Sequence, residues 1–231
     1  MALVDSGSLT NTACAKIKEM LFLQKIPPGR KLIYRELAKM LHMSSTPVQL
    51  ALAKLEQEGL VIREPNVGYY VKMIDLKESD DLFDVREALE VYAVALAITN
   101  QTPQDIEKLT ELIRIHKNYI IQVYDRKKLL LDAEFHWQIA KISKNWEILK
   151  QLRRIYEHSY LRSPVDLFPP ERLSIAPSQH EEILRWIKER NILRAQKCLG
   201  RHIQEAKEAK RSALFTYLHN KAYESITDLT T

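Results

Sequence analysis

Residues 32–74 of the chain, LIYRELAKMLHMSSTPVQLALAKLEQEGLVIREPNVGYYVKMI, decide the fold of its first third. Apolar residues at helical spacing predict one helix before a short turn and a second helix that begins near Ser44. Hydroxyl side chains just ahead of Pro47 are typical of a helix start, because they accept hydrogen bonds from free backbone N–H groups. Gly59 is suited to end that helix, and two short strands around a turn at residues 65–68 complete the segment.

This order of helix, turn, helix and β-hairpin predicts a winged helix-turn-helix domain over residues 1–75. Such a domain places the N-terminus of its second helix in the major groove of DNA, where small polar side chains reach the bases. An ordinary helical hairpin with a well-capped second helix would produce the same periodicity. The spacing alone therefore leaves both interpretations open.

From Ser79 onward the chain is predicted to be helical. The predicted helices cover approximately residues 79–100, 103–123, 126–143, 145–160, 178–190 and 191–218. The stretch SPVDLFPPERLSIAP, residues 163–177, is rich in proline and is predicted to be a loop. We therefore predict a mostly α protein with an N-terminal winged helix-turn-helix, a helical bundle over residues 79–218 and a tail over residues 219–231.

The composition excludes several classes of protein. Only 5 of the 231 residues are glycine, which argues against a turn-rich all-β fold. No apolar run approaches the roughly 20 residues of a membrane span, and Cys14 and Cys198 are too isolated to suggest a disulfide framework or a thiolate zinc site. We therefore expect no membrane association, no secretory signal and a cytoplasmic location.

The charge of the chain is a weak indication of its partner. The net charge is +5, and residues 1–75 contain ten basic against seven acidic side chains, so this third carries +3 of it. A basic domain favours a nucleic-acid partner, but an excess this small does not decide the question.

The residues between Ile26 and Val71 closely resemble the N-terminal domain of the GntR family of bacterial transcription regulators. The shared positions are Pro28-Gly29, Leu32, Leu37-Ala38, Ser44, Thr46-Pro47-Val48, Ala51-Leu52, Leu55-Glu56, Gly59-Leu60-Val61 and Asn66–Val71. The resemblance implies that this domain binds a double-stranded DNA operator. The DNA-contacting positions that it implies are Arg35, Ser44, Ser45, Thr46, Gln49 and Gly68.

Several of these positions depart from the family pattern. Family members typically carry arginine where this chain has Ser45, Gln49 and Val67, and glutamate where it has Leu50. The fork of an arginine matches O6 and N7 of guanine, whereas a glutamine amide matches N6 and N7 of adenine. We hypothesise that this chain reads adenine where its relatives read guanine and depends less on charge; a decayed reader with little DNA affinity is the alternative.

Four side chains of the helical half are candidates for a metal site. Asp132 and His136 lie four residues apart and therefore share one face of a predicted helix. His180 and His202 follow on two later helices, each in phase with apolar residues and so directed inward. Three imidazoles and a carboxylate suit a divalent ion such as zinc, nickel or manganese. A single core histidine is more often a hydrogen-bonded packing residue than a ligand, so a metal-free cluster is the alternative.

Segments of the helical half resemble the FCD domain, the effector module of the FadR subfamily of GntR regulators. The segments are DLFDVREALEVYAVALA (81–97), LDAEFHWQIAKISKN (131–145), SQHEEILRWIKERN (178–191) and AQKCLGRHI (195–203). The resemblance implies an antiparallel helical bundle that forms a homodimer and holds a divalent metal through the four candidates above. Four other histidines match no family position and are interpreted as ordinary surface or packing residues: His42, His116, His158 and His219.

Arg86 is the remaining candidate. It shares the apolar side of its predicted helix with Leu82 and Leu89, and a buried guanidinium requires a partner. Glu90, one turn further on, is the structural partner that the sequence offers. The functional partner is an anionic effector, which the arginine of the family's Arg-x-x-Leu-Glu motif supports.

Together these features predict a DNA-binding transcription regulator, not an enzyme, whose helical half binds a divalent metal and a small carboxylate effector. A metal-dependent hydrolase-like enzyme is one alternative, because a His/Asp metal site with open positions also activates water. A metal-free sensor with a weakened DNA reader is another. The sequence offers no well-placed general base beyond the four candidate ligands, which favours the regulator.

Overall fold

The structure, a computed structural model, describes residues 9–120, 126–164 and 170–227 of the chain. The chain divides into two compact units. The N-terminal unit comprises Met1–Ile74 and Glu157–Pro164, and the helical unit comprises Asp75–Tyr156 and Val165–Thr231.

The helices and strands of the described residues follow the predicted order. The N-terminal unit contains α1 (Leu9–Phe22), β1 (Lys31–Leu32), α2 (Tyr34–Leu41), α3 (Ser45–Gln57), β2 (Val61–Glu64) and β3 (Gly68–Val71). The helical unit contains α4 (Leu76–Asn100), α5 (Pro103–Asn118), α6 (Lys127–Ile142), α8 (Pro170–Lys188) and α9 (Ile192–Thr227). The helix α7 (Trp146–Leu161) contributes residues to both units, with the division after Tyr156.

The N-terminal unit confirms the predicted winged helix-turn-helix. Its core is a cluster of buried apolar side chains from all three helices, the sheet and the end of α7. Members without measurable exposure are Ala13, Ile17, Leu21, Val48, Ala51, Leu52, Leu55 and Leu60. This core holds the exposed side of α3 in a fixed orientation on the surface of the unit.

The wing contains one strand more than the sequence predicts. β3 lies between β1 and β2 and pairs antiparallel with both, so that Leu32 faces Tyr69 and Val61 faces Val71 across the two ladders. β1 was not predicted because two residues are too short to show the alternation of buried and exposed side chains that identifies a strand.

The ends of α3 correct one prediction and confirm another. Ser44 occupies the position before the helix, but its side chain makes no capping hydrogen bond, so its predicted role as a cap is wrong. Gly59 follows the helix with φ +75, in the left-handed region that glycine adopts without strain, and ends the helix as predicted.

Four helices of the helical unit differ from their predicted bounds. α5 ends at Asn118, although it was predicted to continue to about residue 123. α4 begins at Leu76 rather than near Ser79, because the carboxylate of Asp75 accepts the backbone N–H of Glu78 at 2.7 Å and caps an earlier start. α8 begins at Pro170, so the second part of the predicted loop is helical and Pro177 lies inside the helix. α9 continues to Thr227, beyond the predicted end near Leu218.

The helical unit is organised around α4 and α9, which pack along one another and against α6 and α8. A capping box holds the start of α5, where Thr102 Oγ1 accepts the backbone N–H of Asp105 at 3.2 Å and the Asp105 carboxylate accepts that of Thr102 at 3.0 Å. The buried apolar core includes Phe83, Val94, Leu109, Phe135, Ile139, Ile183, Ala195, Leu199 and Ile203. None of the helices in the described ranges has both the length and the apolar character needed to cross a bilayer.

Candidate functional site

The four predicted metal ligands lie together inside the helical unit. Asp132 and His136 come from α6, His180 from α8 and His202 from α9, and one ligand atom from each lies within 4.8 Å of the others. The three histidines are at most 1% exposed, whereas Asp132 is half-buried. The predicted convergence of three helices on one point is therefore present in the structure.

The distances within the cluster fit a shared ion. His202 Nε2 lies 3.1 Å from His136 Nε2 and 3.4 Å from His180 Nε2. The Asp132 carboxylate oxygens lie 3.4 Å from His180 Nε2 and 3.9 Å from His136 Nε2. Two ligand atoms each about 2.1 Å from one ion are separated by roughly 3.0–3.4 Å at octahedral or tetrahedral angles. The pairs at 3.1–3.4 Å thus have the spacing of neighbouring ligands on one ion, whereas the Asp132–His136 pair at 3.9 Å is wider.

A neighbouring acceptor orients the imidazole of His136, because Glu90 Oε2 lies 2.6 Å from its Nδ1. Nδ1 of His202 lies 2.8 Å from the acceptor Gln179 Oε1 and 3.1 Å from Nη2 of Arg172, which can only donate, so these contacts do not fix its tautomer. An acceptor at Nδ1 keeps the proton there and leaves the Nε2 lone pair available for a metal. Carboxylates and amides in this position are a usual accompaniment of histidine ligands, so the donor set fits a divalent ion.

Electrostatics keep the histidines in the form that binds metals. Burial lowers the pKa of His180 and His202 well below the ordinary value, and the neighbouring histidines and arginines lower it further. For Glu90, burial acts to raise the pKa, but the charges of Arg86 and His136 outweigh it and hold the pKa at about 2. Burial therefore favours the neutral, metal-binding form of His180 and His202, close to the Glu90 carboxylate, which stays ionised.

Arg86 is buried, and its observed partner is Glu90. Arg86 Nε donates to Glu90 Oε1 at 2.7 Å, and the guanidinium carbon lies 4.9 Å from the centre of the Tyr156 ring. The hydroxyl of Tyr156 donates to the same Oε1 at 2.8 Å. Arg86 is thus paired with Glu90, the structural partner that the sequence offered. Glu90 also contacts the candidate metal ligand His136 and so links the guanidinium to it.

The sequence interpretation missed two side chains beside the cluster. His116, on α5, is fully buried, and the centre of its ring lies 5.5 Å from that of His180. Burial lowers its pKa to about 4. Its spacing from Leu109 and Ile113 on one face of α5 was the signal that could have identified it as an interior residue. Arg172, whose Nη2 donates to the backbone oxygen of His202 at 2.9 Å, was hidden in the predicted loop.

The predicted DNA-contacting residues lie at the start of α3, on α2 and on the wing. Arg35, Ser44, Thr46 and Gln49 are exposed, while Ser45 and Gly68 are half-buried. Their positions match those of a recognition helix that presents its N-terminal turn. The side chains of Leu50 and Val67, which replace charged residues of the family pattern, are 54% and 45% exposed.

Gly68, at the tip of the wing, requires glycine for a geometric reason. Its φ is +133, a conformation that other residues rarely adopt. An added Cβ would also meet Cε of Lys31 at 3.5 Å, which is ordinary contact, so the backbone conformation rather than space is the constraint.

Two protein families match this chain, one over each half. The family described as bacterial regulatory proteins, gntR family, matches residues 9–71. The FCD domain family matches residues 81–205, more than half of the chain. The first match lies within the N-terminal unit, and the second begins in α4, the first helix of the helical unit.

Curated relatives of this chain are transcription regulators by their names. It is 33% identical over 130 residues to the Nta operon transcriptional regulator of Aminobacter aminovorans, covering 56% of this chain and 61% of that protein. It is 37% identical over 106 residues to the regulator McbR of Escherichia coli K12, covering 46% of this chain and 48% of that protein. These two matches thus span about half to three-fifths of the relatives' length. A longer match is to the repressor RspR of the same strain: the two proteins are 27% identical over 193 residues, which cover 80% of this chain and 82% of RspR.

Solved structures share the fold. The structure of E. coli McbR/YncC is similar with a TM-score of 0.76 at 24% identity, covering 89% of this chain and 98% of that one. A GntR regulator from Rhodococcus sp. RHA1 is similar with a TM-score of 0.71 at 18% identity, covering 90% and 99%. At these identities the likeness concerns the architecture alone.

Proposed function

The chain belongs to the gntR family of bacterial regulatory proteins, with an FCD domain, and we propose that it is a transcription regulator whose DNA binding responds to a metal-dependent ligand. In this proposal the winged helix-turn-helix binds a double-stranded operator. The helical unit holds a divalent ion, for which zinc, nickel and manganese are the candidates, and binds a small carboxylate effector beside it.

One observation carries the metal part of the proposal. Three buried imidazoles and a carboxylate from three helices each offer a ligand atom within 4.8 Å of the others, and His202 Nε2 lies 3.1 and 3.4 Å from the Nε2 atoms of His136 and His180. Two imidazole nitrogens at such distances repel each other if both carry lone pairs, unless one donates an N–H to the other, whereas an ion between them binds both lone pairs. The acceptor at Nδ1 of His136 supports the metal proposal, since it holds that ring in the tautomer whose Nε2 can bind a metal.

The effector part of the proposal follows from charge. A bound divalent ion with four protein ligands supplies Lewis acidity and open positions that attract a carboxylate oxygen. Arg86 and Arg172 add positive charge close enough to lower the pKa of His180 and His202. We therefore propose that Arg86, which its ion pair with Glu90 holds beside the cluster, contributes positive charge to effector binding.

The operator part of the proposal rests on the exposed start of α3. We propose that Arg35, Ser44, Ser45, Thr46, Gln49 and Gly68 contact DNA. We also propose that the chain acts as a homodimer, formed through the helical unit, on a palindromic site, because two copies of one recognition helix read two equal half-sites. Light scattering of the purified full chain tests this, and a monomer at all concentrations would refute the homodimer.

The metal proposal is tested by zinc titration of the full chain against a competing chelator dye. We expect one equivalent per chain and a loss of affinity of about 100-fold or more in His202→Ala, because one of four ligands is removed. His219→Ala, which removes an exposed histidine of α9, is the matched control and should bind zinc like the wild type. Equal zinc affinity in His202→Ala and the wild type would refute the metal site.

The regulatory proposal requires a DNA measurement. DNA selected from a random pool by the full chain gives the probe, and its dissociation constant is measured by anisotropy with and without succinate on zinc-loaded protein. We expect a shift of about 5- to 150-fold, the range of ordinary allosteric coupling. A protein that selects no DNA sequence would refute the operator part without affecting the zinc titration.

A further inference from the structure

His116 is a buried polar side chain with no assigned role in the proposed site. It is 0% exposed, and neither Nδ1 nor Nε2 has a hydrogen-bond partner among the described residues. A neutral imidazole carries one donor and one acceptor, and leaving both unmade in a protein interior costs free energy. Buried polar groups are satisfied in most proteins, so an orphan of this kind needs an explanation.

The position of His116 places it beside the metal ligands but outside their cluster. The centre of its ring lies 5.5 Å from that of His180, at an angle of 47°. The four-donor cluster of the described residues does not include it. His116 is therefore located where a molecule bound next to the ion, rather than the ion itself, would be contacted.

Two cations accompany His116. Lys128 on α6 is buried and donates from Nζ to the backbone oxygen of Tyr119 at 3.2 Å, three residues beyond His116. Arg172 on α8 donates to His202. Both charges act on the His116 ring, where they oppose the charge of Asp132. Three helices thus bring a hydrogen-bonding group and two positive charges to the surroundings of the cluster, and we call the three residues His116, Lys128 and Arg172 the His116 face.

The charges around the cluster favour an occupant with more than one negative charge. Two carboxylates, those of Asp132 and Glu90, are opposed by the cations of the His116 face and by Arg86, which already pairs with Glu90. A divalent ion would add to the positive excess. A dicarboxylate offsets more of this positive excess than a monocarboxylate does, with one group near the ion and the other near the cations of the His116 face.

We propose that the His116 face recognises the second carboxylate of a dicarboxylate effector and that His116 donates a ring N–H to that carboxylate. This inference rests on the proposed metal-dependent function. Lys128 and Arg172 supply the compensating charge. His116 is thus a specificity-determining residue that distinguishes dicarboxylates from monocarboxylates of the same length, and it is not a ligand of the ion.

The test compares four probes on the zinc-loaded full chain by calorimetry: malonate, succinate, glutarate and butyrate. We expect at least one dicarboxylate to bind about tenfold or more tightly than butyrate. His116→Phe keeps the ring and removes both nitrogens; it should weaken that dicarboxylate about tenfold while leaving butyrate and zinc affinities within about twofold. His116→Asn, which retains an N–H donor, should recover part of the loss.

Two further variants separate recognition from packing. Lys128→Met removes the charge from the second helix of the face and should lower dicarboxylate affinity in the same sense. His219→Phe makes the same exchange on the surface and should change none of the affinities.

Several results would overturn the proposal. Equal dicarboxylate affinity in His116→Phe and the wild type would make His116 a packing residue, and parallel loss of zinc would place it in the metal site. A wild type that binds butyrate as well as the three dicarboxylates, or binds none of them, would remove the dicarboxylate class. The zinc titration of the wild type tests the proposed function independently of His116, and a wild type that binds no zinc would refute that function. The same variant comparison on chelator-treated protein then still decides whether His116 contacts the anion.

Discussion

Glu90 joins the candidate metal ligand His136 to two other side chains through one buried carboxylate. Its Oε2 faces Nδ1 of His136 at 2.6 Å, and its Oε1 accepts from Arg86 and from Tyr156. A carboxylate in this position increases the basicity of the imidazole and fixes its orientation. It also supplies the negative charge that a buried guanidinium requires.

Replacement of Glu90 by glutamine should therefore affect metal binding and stability together. We expect Glu90→Gln to weaken zinc binding about 10- to 100-fold, because the amide is a poorer acceptor for the His136 N–H. The free energy of unfolding should fall by about 3–5 kcal/mol at most, because Arg86 loses its counter-charge but keeps a hydrogen-bond acceptor. A chelator competition and a urea titration measure the two effects. Glu111→Gln removes a charge from an exposed ion pair of α5 and should change neither zinc affinity nor stability. Unchanged zinc affinity in Glu90→Gln would contradict the role of Glu90 in supporting His136.

The buried histidines predict how the metal-free chain responds to pH. Their pKa values are lowered in the folded state, so the unfolded chain binds more protons below its ordinary pKa of about 6.5. The stability is thus fully present above that pH and is lost as the pH falls toward the folded value, which for His116 is about 4. The loss from His116 alone reaches at most about 3 kcal/mol. Glu90, with a pKa of about 2, contributes only between about pH 4.5 and 2.

Urea titrations of the chelator-treated chain across pH 7 to 4 measure this dependence. We expect the free energy of unfolding to decrease over that range and the decrease to become smaller in His116→Phe. His219→Ala should retain the full dependence, since that histidine is exposed. A flat profile in the wild type would mean that the imidazoles bind protons equally in the folded and unfolded chain, which would contradict the lowered pKa values.

At the scale of elements, the end of α3 depends on one glycine. Gly59 has φ +75, and a Cβ there would lie 3.2 Å from Cε1 of His158. We expect Gly59→Ala to lower the free energy of unfolding by about 1–2 kcal/mol, through the left-handed conformation, with a further loss if His158 cannot move. Gly200→Ala is the control within α9: Gly200 has no positive φ, and a Cβ there would lie 3.2 Å from the flexible end of Glu87 and 3.6 Å, an ordinary contact, from Cγ2 of Val91. It should leave stability unchanged or raise it by up to about 1 kcal/mol, and equal effects of the two variants would contradict the argument.

The elements also show which parts of the site the sequence can predict. Helical periodicity directs the histidines of α6, α8 and α9 inward because each lies in phase with apolar residues. The expectation that they meet at one point came from the resemblance to the FCD domain. The start of α8 was not predicted, because proline normally interrupts a helix and Pro177 lies inside this one. Arg172 lies in this first part of α8 and was therefore not predicted as a residue of the site. Glu90 was considered only as a partner of its neighbour Arg86, since its contact with His136 joins residues 46 positions apart.

At the scale of the whole molecule, DNA recognition depends on which charges the N-terminal unit carries. Gln49 is exposed on α3 and replaces an arginine of the family pattern. We expect Gln49→Arg to change the preference at one base of each half-site from adenine to guanine, worth about 1–3 kcal/mol of discrimination. Anisotropy titrations with operator variants measure the preference. Gln57→Arg adds the same charge at the other end of α3 and should leave the base preference unchanged. An identical response of both variants would refute base recognition by residue 49.

The salt dependence of DNA binding measures the same property without any variant. Each phosphate neutralised adds about 0.9 to the slope of log K against log salt concentration for double-stranded DNA. We hypothesise few such contacts, because Ser45, Gln49 and Val67 stand where relatives carry arginine, and therefore expect a shallow slope for the wild type. A steep slope would show that other cations of the unit contact the backbone and would contradict the hypothesis.

Helix α7 is the element through which a ligand in the helical unit can influence the N-terminal unit, because its residues belong to both. Tyr156 donates to Glu90 within the helical unit, and the next residue, Glu157, accepts from Lys18 Nζ at 2.8 Å within the N-terminal unit. We expect Tyr156→Phe to reduce the effect of a bound dicarboxylate on DNA affinity several-fold, out of a coupling of about 1–3 kcal/mol, while zinc binding stays within about twofold. Tyr92→Phe, at an exposed tyrosine of α4, is the control. Full coupling in Tyr156→Phe would mean that the signal reaches the DNA-binding unit by another route, such as the start of α4.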